Sequence, residues 1–330
     1  MSVRSLFTRG SAVVAVGLAA ALALSACGSS SDPLASSSST ASAAAAGSAA
    51  ASGSAAGSGS AAAGGPIIIG SANFPESALL ANIYAEALKA KGVEVTTNLN
   101  IGSREVYLKA LEDGSIGLVP EYSGVLLQYY DPSATATAPD EVYADLQTKT
   151  PSGFEVLDKS AAENKDAIVV TKETAEANNL KSIADLKDVA STFVLGGPPE
   201  FQTRPDGVPG LEAKYGVTFK EFKALDVGGP LTVGALTSDQ IQAGDLFTTD
   251  PIILQDDFVV LEDPNNNFAA QNVLPLITSS LATPDVKEAL NAVSAKLDTD
   301  TLIELNTKVI VDKQDALQVA QEWVAANFPS

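Results

Sequence analysis

The chain has 330 residues, with 20 basic and 40 acidic side chains, a single cysteine and no histidine, and its net charge is −20. This charge argues against nucleic acid as a partner, because phosphate binding needs clustered lysine and arginine. Without histidine, Ser-His-Asp and Cys-His catalysis and histidine-ligated metal sites are excluded. Nothing in the composition indicates a cofactor, and we expect a monomer.

The amino end predicts a lipoprotein signal peptide over residues 1–27. Two arginines precede the mostly apolar stretch 11–24, and no acidic residue comes before Cys27. The run Leu24-Ser25-Ala26-Cys27 resembles the bacterial lipoprotein lipobox, in which the cysteine is acylated and becomes the first residue. An ordinary signal peptide with a stray cysteine is the alternative. We therefore expect Cys27 to anchor the chain by lipid to the outer face of the bacterial cytoplasmic membrane.

The next segment, residues 28–65, is almost entirely serine, alanine and glycine. Such a composition predicts a disordered linker that cannot bury a core. After the signal peptide, 18 basic and 40 acidic residues remain, so the net charge becomes −22. No later apolar run has the length of a membrane helix. The remaining residues 66–330 suffice for two lobes or one large domain.

The first part of the folded region alternates strand and helix patterns. Short apolar runs predict strands at residues 67–69, 93–99 and 116–119. Pro75 and Gly92 are placed to begin and end a helix with one apolar face, and 103–112 predicts a second helix. This β-α-β-α-β order predicts an α/β fold with a mainly parallel sheet flanked by helices.

The same alternation continues through the second half of the chain. Short apolar runs there predict strands at residues 167–170, 192–195, 219–225, 245–247 and 258–261. A helix is predicted at 232–243, and the pattern of the final stretch 285–328 is helical throughout.

Six segments, in order through most of the folded region, together resemble one family. They are residues 70–76, 99–104, 113–124, 203–207, 247–250 and 260–275. The family comprises the substrate-binding proteins of ABC importers for glycine betaine, choline, carnitine and related compounds. The resemblance implies a two-lobed type II periplasmic binding protein fold, with crossings between the lobes near Ile168 and Val273. Lobe I would be residues 66–167 plus 274–330, and lobe II residues 168–273.

The resemblance also implies a mode of action. A small organic zwitterion or quaternary ammonium compound, of the glycine betaine osmolyte class, would sit in the cleft between hinged lobes. The lobes close because the ligand contacts both of them. The loaded protein would then dock on ABC permease subunits outside the cytoplasm, and it would not be an enzyme. The chain lacks the Gly-x-x-x-x-Gly-Lys loop that cradles ATP phosphates.

Aromatic rings and a guanidinium group suit such a ligand. Aromatic faces attract a quaternary ammonium, and a guanidinium fork binds a carboxylate. By resemblance, Tyr122 matches a cage tyrosine, Phe247 stands where the family often has another, and Arg204 matches the carboxylate-binding arginine. For the two aromatic residues the alternative is ordinary core packing, and for Arg204 it is a surface ion pair.

Further residues near predicted strand ends complete the expected binding site, since open α/β sheets bind ligands there. They are Asn73, Phe74, Ser103, Thr249, Asp250 and Gln271. Ser103 and Asp250 could instead cap the helices that follow them. Gln271 stands where the family often has another cage tyrosine. Fewer aromatic faces and more amides favour a ligand with more polar groups than glycine betaine.

Two other functions are compatible with the sequence. Glu76, Glu121 and Asp250 could include a general acid–base pair for an enzyme that uses the same cleft. A surface lipoprotein that binds a protein or polymer is the second alternative, and it would show a broad exposed apolar patch.

Overall fold

The computed structural model describes residues 65–328, so the predicted signal peptide, Cys27 and nearly all of the predicted linker lie outside the described residues. The strands of the described part form two five-stranded sheets. In chain order they are β1 (Ile67–Ala72), β2 (Val95–Gly102), β3 (Leu118–Tyr122), β4 (Phe154–Val156), β5 (Asp166–Val170), β6 (Val194–Gly197), β7 (Glu221–Ala224), β8 (Ala243–Phe247), β9 (Val259–Val260) and β10 (Val273–Thr278).

Helices of two to four turns, and a few shorter ones, connect the strands. They are α1 (Pro75–Ala90), α2 (Arg104–Glu112), α3 (Ser123–Tyr130), α4 (Pro139–Lys149), α5 (Lys172–Asn178), α6 (Val208–Tyr215), α7 (Pro230–Thr237), α8 (Ile252–Gln255), α9 (Pro284–Lys296), α10 (Thr299–Asn306) and α11 (Ala316–Asn327). A π-helical turn, Thr307–Val311, extends α10. Within residues 65–328, no helix combines the length and apolar character needed to cross a bilayer.

The two sheets repeat one pattern of pairing. The first has the order β2-β1-β3-β10-β4 and the second the order β7-β6-β8-β5-β9. In the first sheet, β1 runs parallel to β2 and β3, whereas β10 runs antiparallel to β3 and β4. In the second, β6 runs parallel to β7 and β8, whereas β5 runs antiparallel to β8 and β9.

Each sheet is therefore mixed, where the sequence predicted mainly parallel pairing. The antiparallel pairs have the same origin in both sheets. Strand β5 follows β4 of the first sheet, and β10 follows β9 of the second, so each enters its sheet directly from the other. A local alternation of strand and helix patterns cannot reveal these pairings, because the partners are distant in sequence.

One helix is shorter than its sequence pattern predicts. Helix α7 ends at Thr237 instead of continuing to Ala243. The chain turns at Asp239, whose φ of 56° is left-handed, and Ala243 is already the first residue of β8. The apolar residues of this segment thus divide between a helix and a strand.

Residues at both ends of helix α1 fix where it begins and ends, and its packing explains its burial. Pro75 lies in its first turn, where the missing N–H costs nothing, and Gly92 takes a left-handed φ of 78° just after it. The helix packs between the first sheet and the carboxyl-terminal helices α9 and α11. It is buried on nearly every side, which places Glu76 of its first turn inside the protein.

Candidate functional site

A narrow cavity of about 50 Å³ lies where strands of both sheets end. Seven of the nine ligand residues that the sequence predicted line it, namely Asn73, Phe74, Ser103, Tyr122, Arg204, Phe247 and Gln271. We call it the central cavity. Its first wall comes from the half of the molecule that holds β1–β4 and β10, and its second wall from the half that holds β5–β9.

The strand ends account for this convergence. Asn73 and Phe74 follow β1, and Ser103 follows β2. Tyr122 is the last residue of β3, and Phe247 the last of β8. Carboxyl ends of neighbouring parallel strands meet at one edge of a sheet, and this edge is where α/β proteins bind ligands.

Three aromatic rings form a row across the two walls. The ring centroid of Phe74 lies 6.1 Å from that of Tyr122, with 29° between the planes. It lies 5.2 Å from the ring centroid of Phe247, with 33° between the planes. The row therefore joins the two halves and offers aromatic faces to the central cavity.

A buried carboxylate fixes one end of this row. Glu76 accepts hydrogen bonds on Oε1 from the Tyr122 hydroxyl at 2.6 Å and from Asn164 Nδ2 at 2.7 Å. On Oε2 it accepts from the Thr249 hydroxyl and from Asn306 Nδ2, both at 2.5 Å. Burial, and secondly the charge of Glu76, raises the pKa of Tyr122 well above its ordinary value, so the hydroxyl keeps its proton. With four donors, Glu76 is a structural acceptor.

A second buried carboxylate holds Arg104, which the sequence analysis did not single out. Arg104 Nε donates to Glu121 Oε1 at 3.0 Å, and Nη2 donates to Oε2 at 3.1 Å. The Tyr107 hydroxyl donates to the same carboxylate at 2.6 Å, and the Tyr122 backbone N–H does so at 3.0 Å. Arg104 ends the segment 99–104 that resembles the family and directly follows Ser103, and this position could have indicated that it lines the site.

Arg204 lines the central cavity, but an internal carboxylate engages its guanidinium. Its Nε and Nη2 both donate to Glu105 Oε1 of helix α2 at 3.3 Å, which joins the second wall to the first. Glu200 lies 3.9 Å away. Burial opposes the ionisation of Glu105, but Ser103 and Arg204 outweigh it, so the pKa of Glu105 lies below its ordinary value. Arg204 thus forms an ion pair, which the sequence analysis gave as the alternative to contact with a ligand.

Acidic side chains gather on the second wall, where Asp166 is half-buried and Asp245 is buried. Asp166 lines the central cavity, and its carboxylate has no hydrogen-bond or ion-pair partner among residues 65–328. Burial, and secondly the charge of Asp206, raises the pKa of Asp166 to about 7. Burial also raises the pKa of Asp245, whose Oδ1 is buried without a partner in the same part of the chain. Neither residue was predicted from the sequence, although each lies at the amino end of a predicted strand.

Gln271 is held by a helix end. Its Oε1 accepts hydrogen bonds from the backbone N–H groups of Gly124 and Val125, both at 3.0 Å, in the first turn of α3. Position 124 must be glycine, because a Cβ there would come within 2.6 Å of the Ala270 carbonyl oxygen. Gln271, which stands where the family often has a cage tyrosine, therefore holds the first turn of α3 beside the central cavity.

Two larger chambers adjoin the central cavity. The first, of about 440 Å³, shares Phe74, Asn164 and Phe247 with it and is also lined by Thr249 and Asp250. The second, of about 240 Å³, shares Arg104 and Arg204. The two predicted residues absent from the central cavity thus lie just beyond the aromatic row.

Asp250 and Ser103 were each predicted either to bind the ligand or to cap the helix that follows. Asp250 accepts a hydrogen bond from the Ile252 N–H at 2.9 Å at the start of α8, and burial raises its pKa to about 6. Ser103 occupies the position before α2 without a side-chain capping bond. In the described part of the chain, no group of three or more acidic or cysteine side chains could hold a metal ion.

Residues 65–326 match the family described as the substrate-binding domain of ABC-type glycine betaine transport systems. The chain is 28% identical over 282 residues to the glycine betaine-binding protein YehZ of Escherichia coli, covering 78% of this chain and 90% of that protein. It is 27% identical over 272 residues to a glycine-betaine-binding protein of Pseudomonas aeruginosa, covering 78% and 86%.

Solved structures show the same fold. A glycine betaine/carnitine/choline ABC transporter protein superposes with a TM-score of 0.64 at 23% identity, over 79% of this chain and 99% of the other. Lactococcal OpuAC, closed around glycine betaine, superposes with a TM-score of 0.55 at 14% identity, over 79% and 95%. The fold is thus that of type II periplasmic binding proteins, and the chain belongs to the substrate-binding family of ABC-type glycine betaine transport systems.

Proposed function

We propose that this protein captures a small organic zwitterion or quaternary ammonium compound in the central cavity and delivers it to an ABC permease. The observation that carries the proposal is the row of Tyr122, Phe74 and Phe247, whose outer rings come from opposite walls. A quaternary ammonium cannot donate hydrogen bonds, so aromatic faces are the groups that recognise it. The family shares this class of ligand, since relatives are named for glycine betaine and carnitine.

Contacts between the walls support closure around the ligand. The Thr249 hydroxyl reaches Glu76 across the cleft, and Glu105 reaches Arg204 from the opposite side. We propose that residues 66–167 plus 274–330 form one lobe and 168–273 the other. In support, the second sheet begins with β5 at Asp166 and the first resumes with β10 at Val273, each within two residues of a proposed bound. A ligand that contacts both walls would favour the closed state over an open one.

The proposed setting follows from the amino end. Acylated Cys27 would hold the protein at the outer face of the cytoplasmic membrane, and the linker 28–65 would let the folded part reach the permease. The partners would be permease subunits and a small ligand, with the protein itself a monomer. The proposed role is binding without turnover. In support, Glu76 and Glu121, two of the carboxylates weighed for an enzyme, are occupied by internal hydrogen bonds.

Calorimetric titration of the purified protein tests the proposal. Glycine betaine, choline, carnitine and ergothioneine are titrated into the wild type, into Tyr122→Ala and into Tyr143→Ala. Tyr143 lies outside the three cavities and controls for the loss of a tyrosine. We expect binding of at least one ligand, weakened about 30-fold in Tyr122→Ala alone, since one cation–π contact contributes up to about 2 kcal/mol. Absence of binding by every ligand would contradict the proposal.

A further inference from the structure

We propose that Asp166 is a ligand-binding residue and that the central cavity prefers a quaternary ammonium cation without a carboxylate to a zwitterion. This inference rests on the proposed function and narrows its class of ligand. It depends on three features of the cavity: the pairing of its arginines, the position of Asp166, and the balance of charge around the ligand.

The positive groups of the central cavity are already neutralised. Arg104 is held by Glu121 through two guanidinium nitrogens at 3.0 and 3.1 Å, in a buried pair. Arg204 is held by Glu105 from the opposite wall. Both pairs engage Nε and Nη2, so a ligand carboxylate would have to share its guanidinium with an internal carboxylate that already offsets the positive charge.

Asp166 is the carboxylate that remains. The antiparallel register of β5 and β8 places it directly opposite Phe247, so the two side chains lie on the same face of the sheet. Both line the central cavity. Arg204 and Arg104 act on the Asp166 carboxylate through their charge, but no side chain of the described residues forms a hydrogen bond or ion pair with it, so it is available to a cation lying against the Phe247 ring.

The balance of charge favours a cation. Two guanidinium groups are set against four carboxylates, those of Glu105, Glu121, Asp166 and Glu200. Asp206 and Asp245 lie close enough to Asp166 to interact with its charge, although burial raises the pKa of both and so favours their neutral forms. A ligand with one positive charge relieves this excess. A zwitterion brings a new carboxylate into it, and like charges in a partly desolvated site repel each other strongly.

Choline and glycine betaine form a matched pair of probes, because both carry a trimethylammonium group and only glycine betaine carries a carboxylate. At pH 8, calorimetry should show choline binding the wild type about ten-fold more tightly than glycine betaine. Asp166→Asn should weaken choline binding about ten-fold. Asp188→Asn, which makes the same charge change at an exposed position outside the cavities, should leave it unchanged.

The complementary variant frees Arg204. Glu105→Gln removes the charge that engages the guanidinium and should tighten glycine betaine binding about ten-fold, whereas choline, which has no carboxylate for the freed guanidinium, should bind no more tightly than to the wild type. Glu112→Gln, at an exposed position on the same helix, is the control. Circular dichroism melts establish that each variant is folded.

The outcomes separate the two proposals. Tighter wild-type binding of glycine betaine than of choline, together with unchanged choline affinity in Asp166→Asn, would overturn this inference and leave the proposed function intact. Absence of binding by every quaternary ammonium compound would overturn both.

Discussion

The two walls of the central cavity hold their carboxylates in opposite ways. On the first wall, Glu76 and Glu121 each accept hydrogen bonds from four donor groups and hold neighbouring side chains in place. On the second wall, Asp166 has no partner among the described residues and Asp245 has a buried oxygen without one. The first wall therefore fixes the shape of the site, whereas the second keeps charge available for a ligand at a cost in stability.

The largest change in stability should come from removing the Glu76 carboxylate of the first wall. Glu76→Ala leaves four buried donors without an acceptor, which should lower the free energy of unfolding by about 4 kcal/mol in urea titrations. Glu86→Ala removes a surface ion pair with Lys89 from the same helix and should cost less than about 1 kcal/mol. Equal losses in the two variants would show that Glu76 has no special structural role.

On the second wall, removing the charge of Asp166 should instead stabilise the protein. The pKa of Asp166 is raised from 3.8 to about 7, so its contribution to stability is full below pH 4 and is lost as the pH rises through 7. Asp166→Asn should therefore raise the free energy of unfolding of the unliganded protein by about 2 kcal/mol at pH 8 and leave it unchanged at pH 3. The same difference at both pH values would contradict an unpaired carboxylate.

Ligand binding should follow the same titration. A cation is attracted by ionised Asp166, whose pKa is about 7, so choline affinity should fall about five-fold between pH 8 and pH 6. The titratable groups that interact with Asp166 are Asp206, Asp245, Arg204 and Arg104, and the two acids broaden the transition. The fall should be absent from Asp166→Asn. A pH dependence that survives this substitution would assign it to another group.

The smallest effect should come from the Tyr122 hydroxyl. Tyr122→Phe removes its hydrogen bond to Glu76 but keeps the aromatic face. We expect a loss of about 1 kcal/mol in the free energy of unfolding, with cation affinity changed less than about three-fold. A large loss of affinity in this variant would mean that the hydroxyl, and not the ring, recognises the ligand.

Most of the predicted ligand residues line the central cavity, because strand ends are readable from apolar runs. Tyr122, Arg204 and Phe247 lie in different segments, yet all three line one cavity. Their contact with a ligand stays a prediction. The family resemblance of the segments supplied what periodicity alone could not, namely which residue at each strand end matters.

The missed features depend on pairings between distant residues. Nothing local in the sequence pairs Arg204 with Glu105, which is 99 residues away, or places Asp166 opposite Phe247. The antiparallel entry of β5 and β10 was missed for the same reason. Charge at the site is set by which distant side chains meet, and single segments do not carry that information.

A crystal structure of the protein with choline tests the central claim most directly. We expect the trimethylammonium nitrogen within about 6 Å of the ring centroid of Phe247, with the Asp166 carboxylate beside it. Choline in the 440 Å³ chamber beyond Phe74, away from Tyr122 and Asp166, would contradict it.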